Sequence, residues 1–263
     1  MPLYSTEAVV LRKIDYRESD QIMTFLTPDY GRISGMVRGA KRIRSRFGAS
    51  LEMLTYGKLI YFDRQGKNLV SINQFDILKS FQQIRENLIR SGSCQYMAEL
   101  IMGFVPERES AAEVFKLFVR SMEGMSATRD PEAVLRIFEI RFLSIIGFAP
   151  RMDACVFCGN RQGRFMFFIK DGGLVCSSCQ VRSTEAEPES VPEGVGFFWR
   201  QALAMDLTKM DRVRLQGRLN VGLKRLLHRY LLHLLGREIR SFTFLEKLGQ
   251  EAGGLTPVLE HGK

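Results

Sequence analysis

Two short cysteine pairs, Cys155/Cys158 and Cys176/Cys179, constrain this chain more than any other feature. They lie in CVFCGNRQGRFMFFIKDGGLVCSSC, with the 17 residues Gly159 to Val175 between them. Each Cys-x-x-Cys makes a tight turn that brings two sulfurs near one point, and the separation is that of a four-thiolate zinc site. Gly159 lets the backbone curl after the first pair. FMFFI reads as a strand and KDGG as a turn, so a hairpin carries the second pair to the first. Three chemistries compete for this segment. A structural zinc, Zn2+, fills its tetrahedral shell with four sulfurs and leaves no position for water or substrate. A catalytic zinc needs an open position and an acid-base partner, yet the chain's histidines, His228, His233 and His261, are distant in sequence. A thioredoxin-like redox pair opens a helix after a strand, which two pairs at this spacing do not match. The segment reads as a staple. The fifth cysteine, Cys94 in SGSCQYMAEL, reads as a small core residue.

Unpaired thiols in this number suit a reducing compartment. MPLYSTEAVVLRKID lacks the pattern of a secretory signal, and no uncharged run approaches the roughly 20 apolar residues of a membrane span. The expectation is a soluble, cytoplasmic protein with no membrane partner. At 263 residues and 45% hydrophobic, the chain is long enough for two cores.

The hydrophobic period divides it in two. Ala8 to Ile14, Gln21 to Leu26, Gly31 to Val37, Lys58 to Phe62 and Asn68 to Ile77 alternate in the strand manner, with PDYG and DRQGK as turns. Five short strands in residues 1–80 predict a small closed barrel of OB or SH3-like type. After Ser80 the period becomes helical. In AVLRIFEIRFLSII, from Ala133 to Ile146, Leu135, Phe138, Phe142, Ile145 and Ile146 share one face, and Gly147 and Pro150 end the helix. Glu113 to Met122 and Leu219 to Leu235 behave alike. Residues 81–250 are therefore expected to be helical with the zinc finger inserted at 151–182, and Ser183 to Gly194 as an acidic linker back to the helices. Residues 251–263 are expected to form a mobile tail. The fold class is α+β.

The charge balance, 38 Lys and Arg against 29 Asp and Glu, gives +9 and favours a polyanionic partner. It is concentrated in YGRISGMVRGAKRIRSRFGASL, Tyr30 to Leu51, which holds Arg32, Arg38, Lys41, Arg42, Arg44 and Arg46 and no acid. A soluble surface usually mixes signs, so this loop points to phosphate binding. Phe47, with Tyr61 or Phe62, offers rings for bases to stack on, although Tyr61 and Phe62 are consecutive and one must face the core. A secondary basic face, Arg218, Arg225 and Arg229 within about 40° of one helix, is either solvated or a second contact. No phosphate-binding glycine loop, dinucleotide fingerprint or H-E-x-x-H occurs, so neither an enzyme nor a small-molecule substrate is expected.

YRESDQIMTFLTPDYGRISGMVRGAKRIRSRFGASLE, RFLSIIGFAP leading into ACVFCG, DGGLVCSSC, and LLGREIRSFTFLEKL together resemble the bacterial RecO family over nearly the whole chain. The resemblance implies an N-terminal five-stranded OB-fold β-barrel followed by an all-α domain with an inserted four-cysteine zinc finger. It implies a DNA repair and recombination mediator, nucleoid-associated, that binds single- and double-stranded DNA, anneals strands, contacts the SSB C-terminal tail and, with RecR, helps load RecA. Carried over by motif, Arg38, Lys41, Arg42, Arg44 and Arg46 bind DNA, and Cys155, Cys158, Cys176 and Cys179 hold one structural zinc. The SSB tail falls on the helical domain, with the Arg218 face one possible dock. A zinc-containing OB-fold module for RNA or the ribosome is the alternative, since such a barrel suits RNA equally well.

Overall fold

A computed structural model describes residues 2–42, 45–63, 68–215 and 217–254. Alternation carries the first five strands into a closed barrel. β1 (Leu3–Tyr16) pairs antiparallel with β2 (Asp20–Thr27), and β2 with β3 (Gly31–Val37). β4 (Tyr56–Phe62) pairs antiparallel with both β1 and β5 (Val70–Lys79). The cylinder closes where β3 meets β5 in parallel, through Gly35 and Val70. The β2–β3 turn is fixed by Thr27, whose hydroxyl accepts the Tyr30 N–H and donates to the Gly31 carbonyl. Gly31 turns there at φ 54°, and a Cβ would meet the Glu109 carbonyl. Ala8, Val10, Met23, Phe25, Ile33, Leu59, Ile72 and Phe75 fill the barrel. Phe47 and Leu51, from the connection between β3 and β4, join that filling, as does Tyr61. Phe47 and Tyr61 are thus core side chains and no platform for bases. Alternation could place Tyr61 against its neighbour, but not a ring that reaches the core from a loop.

β1 is longer than its alternation suggested, pairing with β4 from Leu3 and with β2 as far as Tyr16, and it contains a bulge. Val10 lies opposite Phe25 and Arg12 opposite Thr24, which leaves Leu11 as the extra residue. Val9 and Leu11 point away from the barrel filling and, with Leu26 and Leu54, belong to the core of the helical body.

That body begins with a single turn, α1 (Gln82–Arg85), and α2 (Leu88–Phe104), whose N-cap Asn87 accepts the Arg90 N–H. α3 (Ala112–Ala127) follows, then α4 (Pro131–Ile145), which has Pro131 in its first turn and Asp130 accepting the Ala133 N–H. α4 departs from the one-sided expectation. It is buried on every side from Ala133 to Ile140, while Ile145 is 39% exposed. A helix apolar all round belongs in the middle of its layer. Even Arg136 and Glu139 are buried there, paired at 3.0 Å, and the Tyr96 hydroxyl donates to Glu139 at 2.6 Å. Burial pushes the Glu139 carboxyl up to about 7, against the pull of Arg136. Cys94 is fully buried in α2, as a core residue should be, and burial raises its thiol.

The chain then makes a three-stranded sheet from β6 (Phe165–Phe168), β7 (Gly173–Cys176) and β8 (Glu189–Ser190), in the order β7-β6-β8. β8 comes from the acidic segment, so that segment is more than a linker. α5 (Val195–Ala204), α6 (Gly217–Leu235) and α7 (Arg240–Gly254) complete the body, α7 lying against α2. α7 carries regular structure to Gly254, four residues into the expected tail, and 255–263 lie outside the described residues, as does the DRQGK turn from 64 to 67. Among the described residues no helix is long and apolar enough to cross a membrane.

Candidate metal centre and nucleic-acid interface

The four cysteine sulfurs converge within 4.8 Å of one another. The first pair sits in a turn where Gly159, at φ 74°, donates its N–H to the Cys155 carbonyl and the Cys155 N–H reaches the Asn160 carbonyl. The β6–β7 hairpin, with Phe165 opposite Cys176, brings the second pair beside it, and Cys179 follows in a 3-10 turn over Ser177–Arg182. Cys155, Cys176 and Cys179 are buried and Cys158 is exposed. Phe168 and Val175 back the cluster, and the Arg182 guanidinium lies 4.8 Å above the Phe157 ring. The donors fit a soft, tetrahedral metal ion. Zinc–sulfur bonds of about 2.3 Å place neighbouring sulfurs about 3.8 Å apart, and Cys158 and Cys176 are separated by 3.7 Å. Burial opposes ionisation of Cys155, but amides of Cys176, Cys158 and Phe157 donate toward its sulfur and bring the thiol down to about 6. The donor set is four cysteine sulfurs, which suits a metal ion held for structure.

In the barrel, the loop after β3 is laced to the β1–β2 turn. Asp20 accepts the Gly39 N–H at 2.8 Å, and Lys41 donates its N–H to the Ser19 carbonyl. The Gly39 N–H is the main reason the Asp20 carboxyl sits below its usual range. Lys41 also pairs with Asp15 at 2.9 Å. It therefore pins the loop, and its charge is shared with a carboxylate. Arg38 and Arg42 face a cleft of about 830 Å³ together with Arg17, which occupies the turn at φ 57°. The Arg46 guanidinium lies 4.9 Å over the Phe47 ring. Among the described residues no ion pair joins Arg17, Arg38, Arg42 or Arg46 to a carboxylate. Arg44 lies outside the described residues. Arg32 points elsewhere, donating to the Val105 carbonyl and tying the barrel to the helical body. Arg17 was missed in sequence because Glu18 and Asp20 flank it; its signal was position, in a turn beside the basic loop.

On the α6 face two of the three arginines have a partner of their own. Arg225 pairs with Glu189 at 2.9 Å and donates to the Ser190 hydroxyl, and Arg229 pairs with the same carboxylate. Two of the three arginines therefore hold β8 to α6, leaving Arg218 outside this pairing. The helical period revealed the face, but the partner came from the acidic segment some forty residues earlier.

Residues 1–81 match the family model described as Recombination protein O N terminal, and residues 85–242 match Recombination protein O C terminal. The chain belongs to the RecO family. Among similar proteins, the DNA repair protein RecO of Symbiobacterium thermophilum is 32% identical over 253 residues, covering 94% of this chain and 98% of the relative. That of Syntrophus aciditrophicus is also 32% identical, over 250 residues and 93% of this chain and 96% of the relative. The Bacillus subtilis RecO is 28% identical over 248 residues, 94% and 95% of the two chains. The boundary between the two RecO models falls between β5 and α2, where the barrel ends and the helices begin.

Proposed function

We propose that this RecO-family protein binds single- and double-stranded DNA on its barrel, anneals complementary strands, and with RecR helps load RecA onto SSB-coated single strands. The observation that carries this is the open cluster of guanidinium groups on two laced loops. Arg38, Arg42 and Arg17 share a cleft with Glu18 and Asp20, Arg46 belongs to the same loop as Arg38 and Arg42, and no ion pair joins any of the four arginines to a carboxylate among the described residues. Annealing needs no catalytic group. Cationic side chains offset the repulsion between two phosphate backbones, and base pairing drives the reaction. Lys41 anchors the loop, and Arg44 continues the charge run in sequence.

In this reading Cys155, Cys158, Cys176 and Cys179 hold one structural Zn2+, whose part is to fix the hairpin and β8. The SSB C-terminal tail docks on the helical domain, with Arg218 the α6 cation left for it. The decisive experiment is strand annealing on SSB-coated DNA, comparing the protein with an Arg38→Ala/Arg42→Ala/Arg46→Ala variant. Expected are weaker DNA binding across sequences, a salt dependence flatter by about 2 in logarithmic slope on single strands, and slow annealing. Unchanged affinity would discard the loop as the site.

A further inference from the structure

After the bulge at Leu11, alternate side chains of β1 turn to the outside of the barrel: Arg12, then Ile14 at 40% exposure, then Tyr16 at 36%. Register extends this face across the sheet. Ile14 lies opposite Ile22, and Ile22 opposite Met36, an apolar row; Arg12 lies opposite Thr24, and Thr24 opposite Ser34. The Tyr16 end meets the loop cleft, with the Arg17 guanidinium 5.2 Å over its ring. The Arg12 end meets a second cleft, of about 730 Å³, between the barrel and the helical body.

Met53 and Met102 line this second cleft, along with Phe244, which is 44% exposed. Its charged residues are Arg12, Arg237 and Arg240 against Glu99 and Glu238, three positive and two negative, a surplus of one. Glu99 is already engaged. It accepts the N–H groups of Arg240 and Ser241 and the Ser241 hydroxyl, and pairs with Arg237. Among the described residues no ion pair holds the side chains of Arg12 and Arg240. Two arginine-bearing clefts thus stand at the ends of an exposed apolar and aromatic row. The five steps from Arg12 to Arg17 cover about 17 Å at the strand's rise per residue.

Resting on the DNA-binding reading above, we infer that a single nucleic-acid strand runs from the loop cleft along the outer face of β1 into the barrel–helix cleft. There Arg12 and Arg240 receive its phosphates, and Tyr16 and Phe244 stack its bases. Guanidinium groups at both ends of the row suit the strand's phosphates, and the exposed rings of Tyr16 and Phe244 suit its bases.

The test measures salt-dependent affinity for oligothymidines of about 20 and about 3 nucleotides, above and below the roughly 4–16 that one such barrel occupies, the shorter unable to span both clefts. Arg12→Ala/Arg240→Ala should lower the logarithmic salt slope for the long oligomer by about 1.4, two phosphate contacts, and leave the short one unchanged; the corresponding double lysine variant should keep the slope. Because the single tryptophan, Trp199, is buried, Phe244→Trp adds a local reporter, and the long oligomer should quench it. Unchanged slope in Arg12→Ala/Arg240→Ala, with the loop variant impaired, overturns this inference alone. Unchanged binding in both sets overturns the DNA-binding reading as well. Quenching by an acidic peptide but not by the oligomer assigns the cleft to a protein partner and overturns the strand path.

Discussion

Glu189 offers an asymmetric test of how the cysteine module is fastened to the helical body. Its side chain is 5% exposed, whereas its partners Arg225 and Arg229 are 56% and 43% exposed. Glu189→Gln removes the buried charge, and both arginines return to water where they already half reside. The loss is two charge-assisted hydrogen bonds discounted for exposed partners, about 1–2 kcal/mol in all. Arg225→Ala/Arg229→Ala leaves a carboxylate under the β6–β8 edge with no counter-charge, and such stranded buried charges cost about 3–5 kcal/mol. A count of bonds would make the two variants equal, since each loses the same two pairs, and the stranded charge is what separates them. Urea unfolding at pH 7 and constant metal measures each variant. The triple variant should recover most of the double arginine loss, because it has no charge left to strand. If the double arginine variant loses no more than Glu189→Gln, the carboxylate is hydrated and the argument fails.

Two further outcomes follow from the buried groups. His228 of α6 stacks on Phe242 with 3.4 Å between ring centroids, and burial brings its pKa down to about 4, against the pull of Glu246 and with Arg136 and Lys224 nearby. The unfolded chain therefore takes up a proton that the folded chain refuses, so this contribution is full above pH 6.5 and is lost as pH falls toward 4. His228→Gln should flatten the stability profile across that window, and an unaltered slope contradicts it. Removing metal with a thiophilic chelator should lower Tm and make residues 151–190 susceptible to protease while the barrel stays resistant; one zinc per chain, measured before and lost after, accompanies the change.

What the sequence displayed and what it concealed follow from where each partner lies. β3 runs from Gly31 to Val37, as its alternation indicated, because it pairs along its whole length with β2, the strand just before it in the chain. The cysteine spacing also needs nothing beyond its own segment. Arg136 and Glu139 look like solvent residues on α4, since Tyr96, which donates to Glu139, and the flanking helices are supplied by chain far away. Phe47 reads as a loop ring until the barrel interior it fills is assembled. The basic run was legible as charge, but which cations stay open is decided by Asp15 against Lys41 and by Glu189 against α6, and neither acid belongs to the run.

The bulged strand has a consequence for how the molecule moves. Ala8 and Val10 lie in one core, Val9 and Leu11 in the other, and Leu26 and Leu54 join the second from the barrel side. Swinging either half on a hinge at β1 would strip apolar side chains into water, so this strand couples the two halves. A polymer bound to the cylinder therefore turns rigidly with the helices behind it.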